Sequence, residues 1–247
     1  MTLLDDVLLM GLGFFVGILN VMAGGGSFLT LPSMIFMGMP PALANGTNRI
    51  ALLMQNVTSV SQFHKHGFSN FRLSFTLGLC TIPGAVVGAF AAVCFDPLWF
   101  KRILAILMII MLPVLFGSRK TRVHPSIQHR GKLLAHAGAL VLGFYGGFVQ
   151  AGTGPLLIIL LFTTLGIDLV RVNMHKVFII GFYTIPALAV FVLSGQVDWI
   201  AGIALGAGNA TGAIVGTRMA ISGGDRLIRL FVTAAIVIMA VKLFITR

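Results

Sequence analysis

The sequence predicts an all-α integral membrane protein built from two repeats of four apolar segments each. Three observations predict it. Of 247 residues, 57% are hydrophobic and only 9% charged, with a mean hydropathy of +1.02. Soluble domains carry about a quarter charged residues. Apolar stretches long enough to cross ~30 Å of hydrocarbon as helices recur from end to end. Shifting the chain by 128 residues lays Ala23, Gly24, Gly26, Gly38 and Asn45 over Ala151, Gly152, Gly154, Gly166 and Asn173. The same shift, without a gap, carries Gly67, Gly78, Gly84 and Gly88 onto Gly195, Gly206, Gly212 and Gly216.

In the first repeat (1–117) the apolar segments fall at about 7–38, 43–63, 72–95 and 98–117. The polar stretch 118–132, SRKTRVHPSIQHRGK, reads as a cytoplasmic linker. The second repeat (133–247) has segments at about 133–165, 170–193, 198–217 and 226–245. The first segment of each repeat is broken by glycine, as AGGGSF (23–28) and AGTGPL (151–156). Each glycine costs roughly 1 kcal/mol against alanine in a helix. Such a break is tolerated in lipid only where protein or a polar cavity satisfies the freed backbone. Glycine-spaced GAVVGAF (84–90) and GAIVGTR (212–218) read instead as faces for close helix packing.

The broken segments either span or enter and return to the same side. Eight full spans place nine loop cations on one side and six on the other, hardly a bias. Two re-entrant segments gather Lys65, Arg72, the five linker cations, Arg171, Arg218, Arg226 and Arg229 on one side. Only Lys101, Arg102, Lys242 and Arg247 then lie opposite, eleven against four. Positive-inside counting therefore favours three crossings per half, an inverted repeat, a cytoplasmic linker and both termini outside.

Function is approached by what the composition excludes. The net charge of +11 sits in short loops, which orients a membrane protein and predicts no nucleic-acid partner. Cys80 and Cys94 show no metal-binding spacing, so neither a metal nor a cofactor is expected. No P-loop pattern is present for ATP-driven transport. The N-terminus, with Asp5 and Asp6 and no basic stretch, is a poor signal peptide and reads as retained.

Two cations stand inside apolar segments. Arg49 and Lys176 occupy neighbouring repeat positions, because Lys176 overlies Asn48. All six acidic residues are Asp and fall at segment ends or in loops, so neither cation has an evident carboxylate partner. Intramembrane cations mark functional sites, and a bound anion is the expected partner. Snorkelling to the interface is the alternative. Asn45, Thr47, Asn48 and Gln55 in the first half, with Asn173, His175 and Tyr183 in the second, add polar groups beside the breaks. The candidate substrate site therefore comprises these residues with Gly24, Gly25, Gly26, Ser27, Gly152, Thr153 and Gly154. Asn56 belongs to the same polar set, and Asn20 and Gln150 are weaker candidates. Freed N–H groups at the starts of half-helices favour negative charge, and discontinuous helices around a midplane site are a recurring plan of secondary transporters.

The stretch GILNVMAGGGSFLTLPSMIFMGMPPALANGTN (17–48) resembles the signature of the TauE/SafE (sulfite exporter) family of membrane permeases. Its residues are the glycine cluster 24–26, Pro32, Gly38, Pro40, and Ala44, Gly46 and Thr47. The second copy departs from the pattern at Thr153, Met174 and His175. The resemblance implies export of a small sulfur-containing anion, such as sulfite, sulfoacetate or a related organosulfonate, across the bacterial inner membrane by a multi-pass carrier. The expected partners are that substrate and the bilayer, with a homo-oligomer left open. Competing readings are a carrier or channel for another anion and, remotely, an intramembrane enzyme using Ser27 and His175.

Overall fold

The computed structural model describes residues 3–22, 24–69, 71–116 and 130–222. Ala23, linker residues 118–129 and the expected final segment 226–245, with Arg226, Arg229, Lys242 and Arg247, lie outside the described residues. The described chain is helical, with no strand among its residues.

The first apolar segment is two helices, α1 (Leu3–Met22) and α2 (Ser27–Phe36), parted at the glycines. Asp5 and Asp6 sit in the first turn of α1, where the helix dipole favours negative charge. After α3 (Pro41–Lys65) come α4 (Arg72–Val93) and α5 (Pro97–Phe116). Next come α6 (Arg130–Phe148) and α7 (Thr153–Leu165), again parted at glycine, followed by α8 (Leu169–Leu193) and α9 (Trp199–Ser222). Helix α6 thus begins within the stretch read as linker. The six glycines with positive φ, at 24, 38, 67, 152, 166 and 195, form three pairs 128 residues apart. Behind Gly38, Gly67 and Gly195 the chain closes α2, α3 and α8 with a bond reaching back five residues, as from Met39 N to the Met34 carbonyl.

Packing follows the repeat reciprocally: α1 lies on α9 as α6 lies on α4, and α3 on α9 as α8 on α4. The glycine faces allow this. Gly13 approaches residues 205–209, Gly17 residues 209–213, and Gly216 meets Ile18, so α1 and α9 run parallel. Gly84 and Gly88 lie against residues 140–148 of α6, also in parallel. The stretches 84–90 and 212–218 are therefore packing faces, as small residues in membrane helices allow. Thr47 and Ile50 face Gly202 while Ala51 faces Gly206, so α3 runs with α9. Ser74 meets His175 and Gly78 meets Phe182, so α4 runs with α8. Gly46 lies against Phe191 and Asn56 against Gly181, which makes α3 and α8 antiparallel. Helices α1, α3 and α9 thus share one direction, and α4, α6 and α8 the other. Because α1 and α3 run the same way, α2 carries the chain back between them, and α7 does so between α6 and α8.

Four described helices, α1, α4, α8 and α9, are long and apolar enough to cross a membrane. Helix α3 has the length but not the hydropathy, because it buries Asn45, Thr47, Asn48, Arg49, Gln55, Asn56 and Ser59. Large apolar side chains line the outside, with Leu193 87%, Ile200 72% and Val57 62% exposed, as a surface facing hydrocarbon requires.

Candidate functional site

The two glycine breaks meet. A Cβ built at Gly24 would lie 2.7 Å from the Gly154 Cα, and one at Gly154 would lie 2.6 Å from the Gly24 Cα. Only residues without side chains bring the two turns this close. Between α6 and α7 the chain also holds Gln150 at φ 67, the one described non-glycine residue with positive φ. That conformation costs roughly 1–2 kcal/mol for a residue with a Cβ. The Gln150 carboxamide is held in turn by Asn48, whose Nδ2 donates to Oε1 at 2.9 Å.

A helix that ends inside protein leaves carbonyls without helical partners, and each broken helix finds a cation for them in the opposite repeat. Lys176 on α8 donates to the Asn20 and Val21 carbonyls at the end of α1, at 2.9 and 2.8 Å, and to Asn173 Oδ1 at 2.8 Å. Arg49 on α3 serves the end of α6. Its Nη2 donates to the Gly146 carbonyl at 3.3 Å and to the Gly147 carbonyl, with Asn45 Oδ1 at 3.4 Å. Asn45 Nδ2 adds a bond to the Phe148 carbonyl at 2.8 Å. Both cations therefore sit against the negative ends of helix dipoles. Neither snorkels: Arg49 is 0% and Lys176 1% exposed. The guanidinium carbon of Arg49 also lies 4.6 Å from the Phe191 ring centre, a cation–π distance. Its Nε and Nη1 have no hydrogen-bond partner among the described residues.

Between the breaks lies a small cavity of about 20 Å³, lined by Asn20, Gly24, Ser27, Gln55, Asn56, Gln150, Gly154 and Lys176, with Leu52 and Ile180. That is room for about one water. Asn20 Nδ2 donates to Gln55 Oε1 at 2.9 Å, tying α1 to α3. Two donors of the lining, Asn56 Nδ2 and Gln150 Nε2, are buried without a partner among the described residues. An unsatisfied buried donor costs about 1–3 kcal/mol, so the cavity is arranged to give hydrogen bonds to something that accepts them.

The sequence-predicted residues thus separate into groups. Gly24, Ser27, Gln55, Gly154 and Lys176 line the cavity. Asn45 and Arg49 stand behind it holding the end of α6, Asn48 holds the side chain of Gln150, and Asn173 accepts from Lys176. Gly25, Gly26, Gly152 and Thr153 shape the turns: the carbonyls of Gly25 and Gly26 accept from Phe28 and Leu29, Gly152 has φ 83, and Thr153 Oγ1 bonds the Gln150 carbonyl. Tyr183 packs its hydroxyl against Gly146, which a Cβ there would strike. Thr47 is spent elsewhere, its Oγ1 accepting from Asp198 N at 2.9 Å. His175 does not line the cavity; its Nδ1 lies 2.6 Å from Ser74 Oγ, and it faces a different opening from Ser27. Asn56, Asn20 and Gln150 are more central than the sequence ranked them. Asn56 pairs with the polar Thr184 across the shift, but Asn20 and Gln150 pair with Phe148 and Met22, so the two-fold signal does not extend to those two.

The family model described as sulfite exporter TauE/SafE matches residues 9–243. A probable membrane transporter protein of Haemophilus influenzae is 29% identical over 94% of this chain and 91% of its own length. The probable membrane transporter protein ORF9 of Sinorhizobium is 28% identical over 93% of this chain and 88% of its own. Probable membrane transporter protein YfcA of Escherichia coli is 28% identical over 96% and 90%. No solved structure matches the chain.

Proposed function

Because this chain belongs to the sulfite exporter TauE/SafE family, whose matched members are named as membrane transporters, we propose that it is a secondary carrier for a small sulfur-containing oxyanion. Sulfite, sulfoacetate and related organosulfonates are the first candidates. The observation that carries the reading is the cavity where the two glycine breaks meet, with Asn56 Nδ2 and Gln150 Nε2 presented to it unsatisfied and Lys176 in its wall. An oxyanion supplies the acceptors those donors lack, and the starts of α2 and α7 beside it favour negative charge. The cavity is too small for a sulfonate, so binding requires α1–α2 and α6–α7 to part, the movement alternating access supplies.

The helix directions support an inverted repeat with re-entrant α1–α2 and α6–α7 hairpins in the bacterial inner membrane. So does a second cavity that brings Gly67–Ser69 of the α3–α4 turn together with Ile167 of the α7–α8 turn and Arg171 at the start of α8. Eight full spans would put those turns on opposite faces. Positive-inside charge makes this face cytoplasmic, and the direction of transport is export. The test is thermal unfolding of the purified protein with sulfite, thiosulfate, sulfoacetate, taurine and simple carboxylates. A ligand at 100 times its Kd stabilises the native state by about 2.7 kcal/mol. Saturable stabilisation by a sulfur oxyanion, lost in Asn56→Ala, is expected; an equal response from Asn56→Ala would overturn the site.

A further inference from the structure

The second cavity, about 410 Å³, opens where the α3–α4 and α7–α8 turns meet, and Ser69, Arg171 and His175 give it a polar wall. The segments that form its mouth are basic: Lys65 and Arg72 on one side and Arg171 on the other, against Asp168 alone. Asp168 does not silence Arg171. One carboxylate oxygen caps α8 by accepting from Arg171 N at 3.0 Å, and the other lies 3.3 Å from Nε, leaving the Nη end of a side chain that is 64% exposed. The floor is different in kind. Phe68 and Met174 line the opening and also pack with Val21, Phe63 and Val177, an apolar cluster separate from the main core. On its far side the carbonyl of Val21 is held by Lys176, which belongs to the central cavity. The order from outside inward is therefore a basic chamber, an apolar layer and the central polar cavity.

We propose that this vestibule is a second anion site, which collects small oxyanions and loads the central cavity through a seal formed by Phe63, Met174 and Val177. The loading role rests on the anion-carrier reading above; the vestibule's preference for anions does not. Low-dielectric walls lined with one sign of charge raise the local concentration of counter-ions by tenfold or more. The seal keeps the two sites from forming one continuous channel.

The experiment starts from protein with Cys80→Ala and Cys94→Ala. Ser69→Cys is then reacted with two methanethiosulfonates of similar size, one bearing a sulfonate and one a trimethylammonium group. Relative to their rates with a free thiol, the sulfonate reagent is expected to react about tenfold faster than the cationic one at low salt. Arg171→Gln and added salt should each cut that ratio at least threefold. Equal normalised rates, or a ratio indifferent to Arg171→Gln, would overturn the anion site. For the seal, Ser27→Cys is expected to react at least tenfold faster in Phe63→Ala and in Met174→Ala, while Val57→Ala on the outer surface changes nothing. An unchanged Ser27→Cys rate in both variants would overturn the seal. Failure of the carrier reading would appear separately, as an absence of ligand stabilisation with the vestibule ratio intact.

Discussion

Replacing Gly24 by alanine tests whether the two breaks touch as described. Gly24 has φ +80, where a side chain costs roughly 1–2 kcal/mol. Its new methyl would lie 2.7 Å from both the Cα and carbonyl carbon of Gly154 and 2.8 Å from Pro155 Cδ. Real Cβ atoms do not approach backbone that closely, and such overpacking adds roughly 1–3 kcal/mol. The expected loss is therefore ~2–5 kcal/mol. Gly38 supplies the control: its φ is +94, but nothing lies within 4 Å of an added Cβ, so Gly38→Ala carries only the ~1–2 kcal/mol of backbone strain. Denaturant unfolding in mild detergent measures both. In Gly24→Ala/Gly154→Ala the penalties should fall short of additivity, because both methyls force the same two turns apart. If Gly24→Ala costs no more than Gly38→Ala, to within ~0.5 kcal/mol, the contact between the breaks is refuted.

Lys176→Met strands the carbonyls of Asn20 and Val21 at ~1–3 kcal/mol each, so unfolding should show a loss of roughly 2–6 kcal/mol as well as weaker anion binding. Arg49→Lys loses the planar contact with Phe191 and the reach to two carbonyls, and should destabilise by about 1–2 kcal/mol. Ser74→Ala removes the bond to His175 at a cost of about 1 kcal/mol and should leave anion protection of Ser27→Cys in the central cavity unchanged, because neither residue lines that cavity. Ser69→Cys and Ile167→Cys should react with a membrane-impermeant thiol reagent from the same face of the bilayer; opposite faces would exclude the re-entrant arrangement.

The broken helices were legible because glycine runs are poor helix in any surroundings, and their 128-residue echo marked them as one device. The burial of Arg49 and Lys176 was legible too, from charge standing inside apolar segments. Their partners were not. Both cations bond backbone carbonyls at the ends of α1 and α6, and a carbonyl carries no residue identity for a sequence to display. Counting carboxylates therefore pointed toward a bound anion as the sole partner, when helix ends supply much of the compensation. His175 was misdirecting for a simpler reason. It precedes Lys176 on the helix by one residue, so the two side chains leave α8 in different directions. Helical spacing alone separates them. Gln150 ranked only as a weaker candidate because its counterpart across the 128-residue shift is the apolar Met22, and a repeat finds only what both halves share.

The central claim is that the cavity between the glycine breaks holds the transported anion. The most direct measurement is protection of a thiol placed in that cavity, Ser27→Cys with Cys80→Ala and Cys94→Ala, from an uncharged maleimide. Saturating sulfoacetate, or whichever sulfur oxyanion stabilises the protein most, should slow labelling at least tenfold while leaving Ser69→Cys in the vestibule slowed less. Labelling of Ser27→Cys at the same rate with and without a stabilising anion would contradict the account.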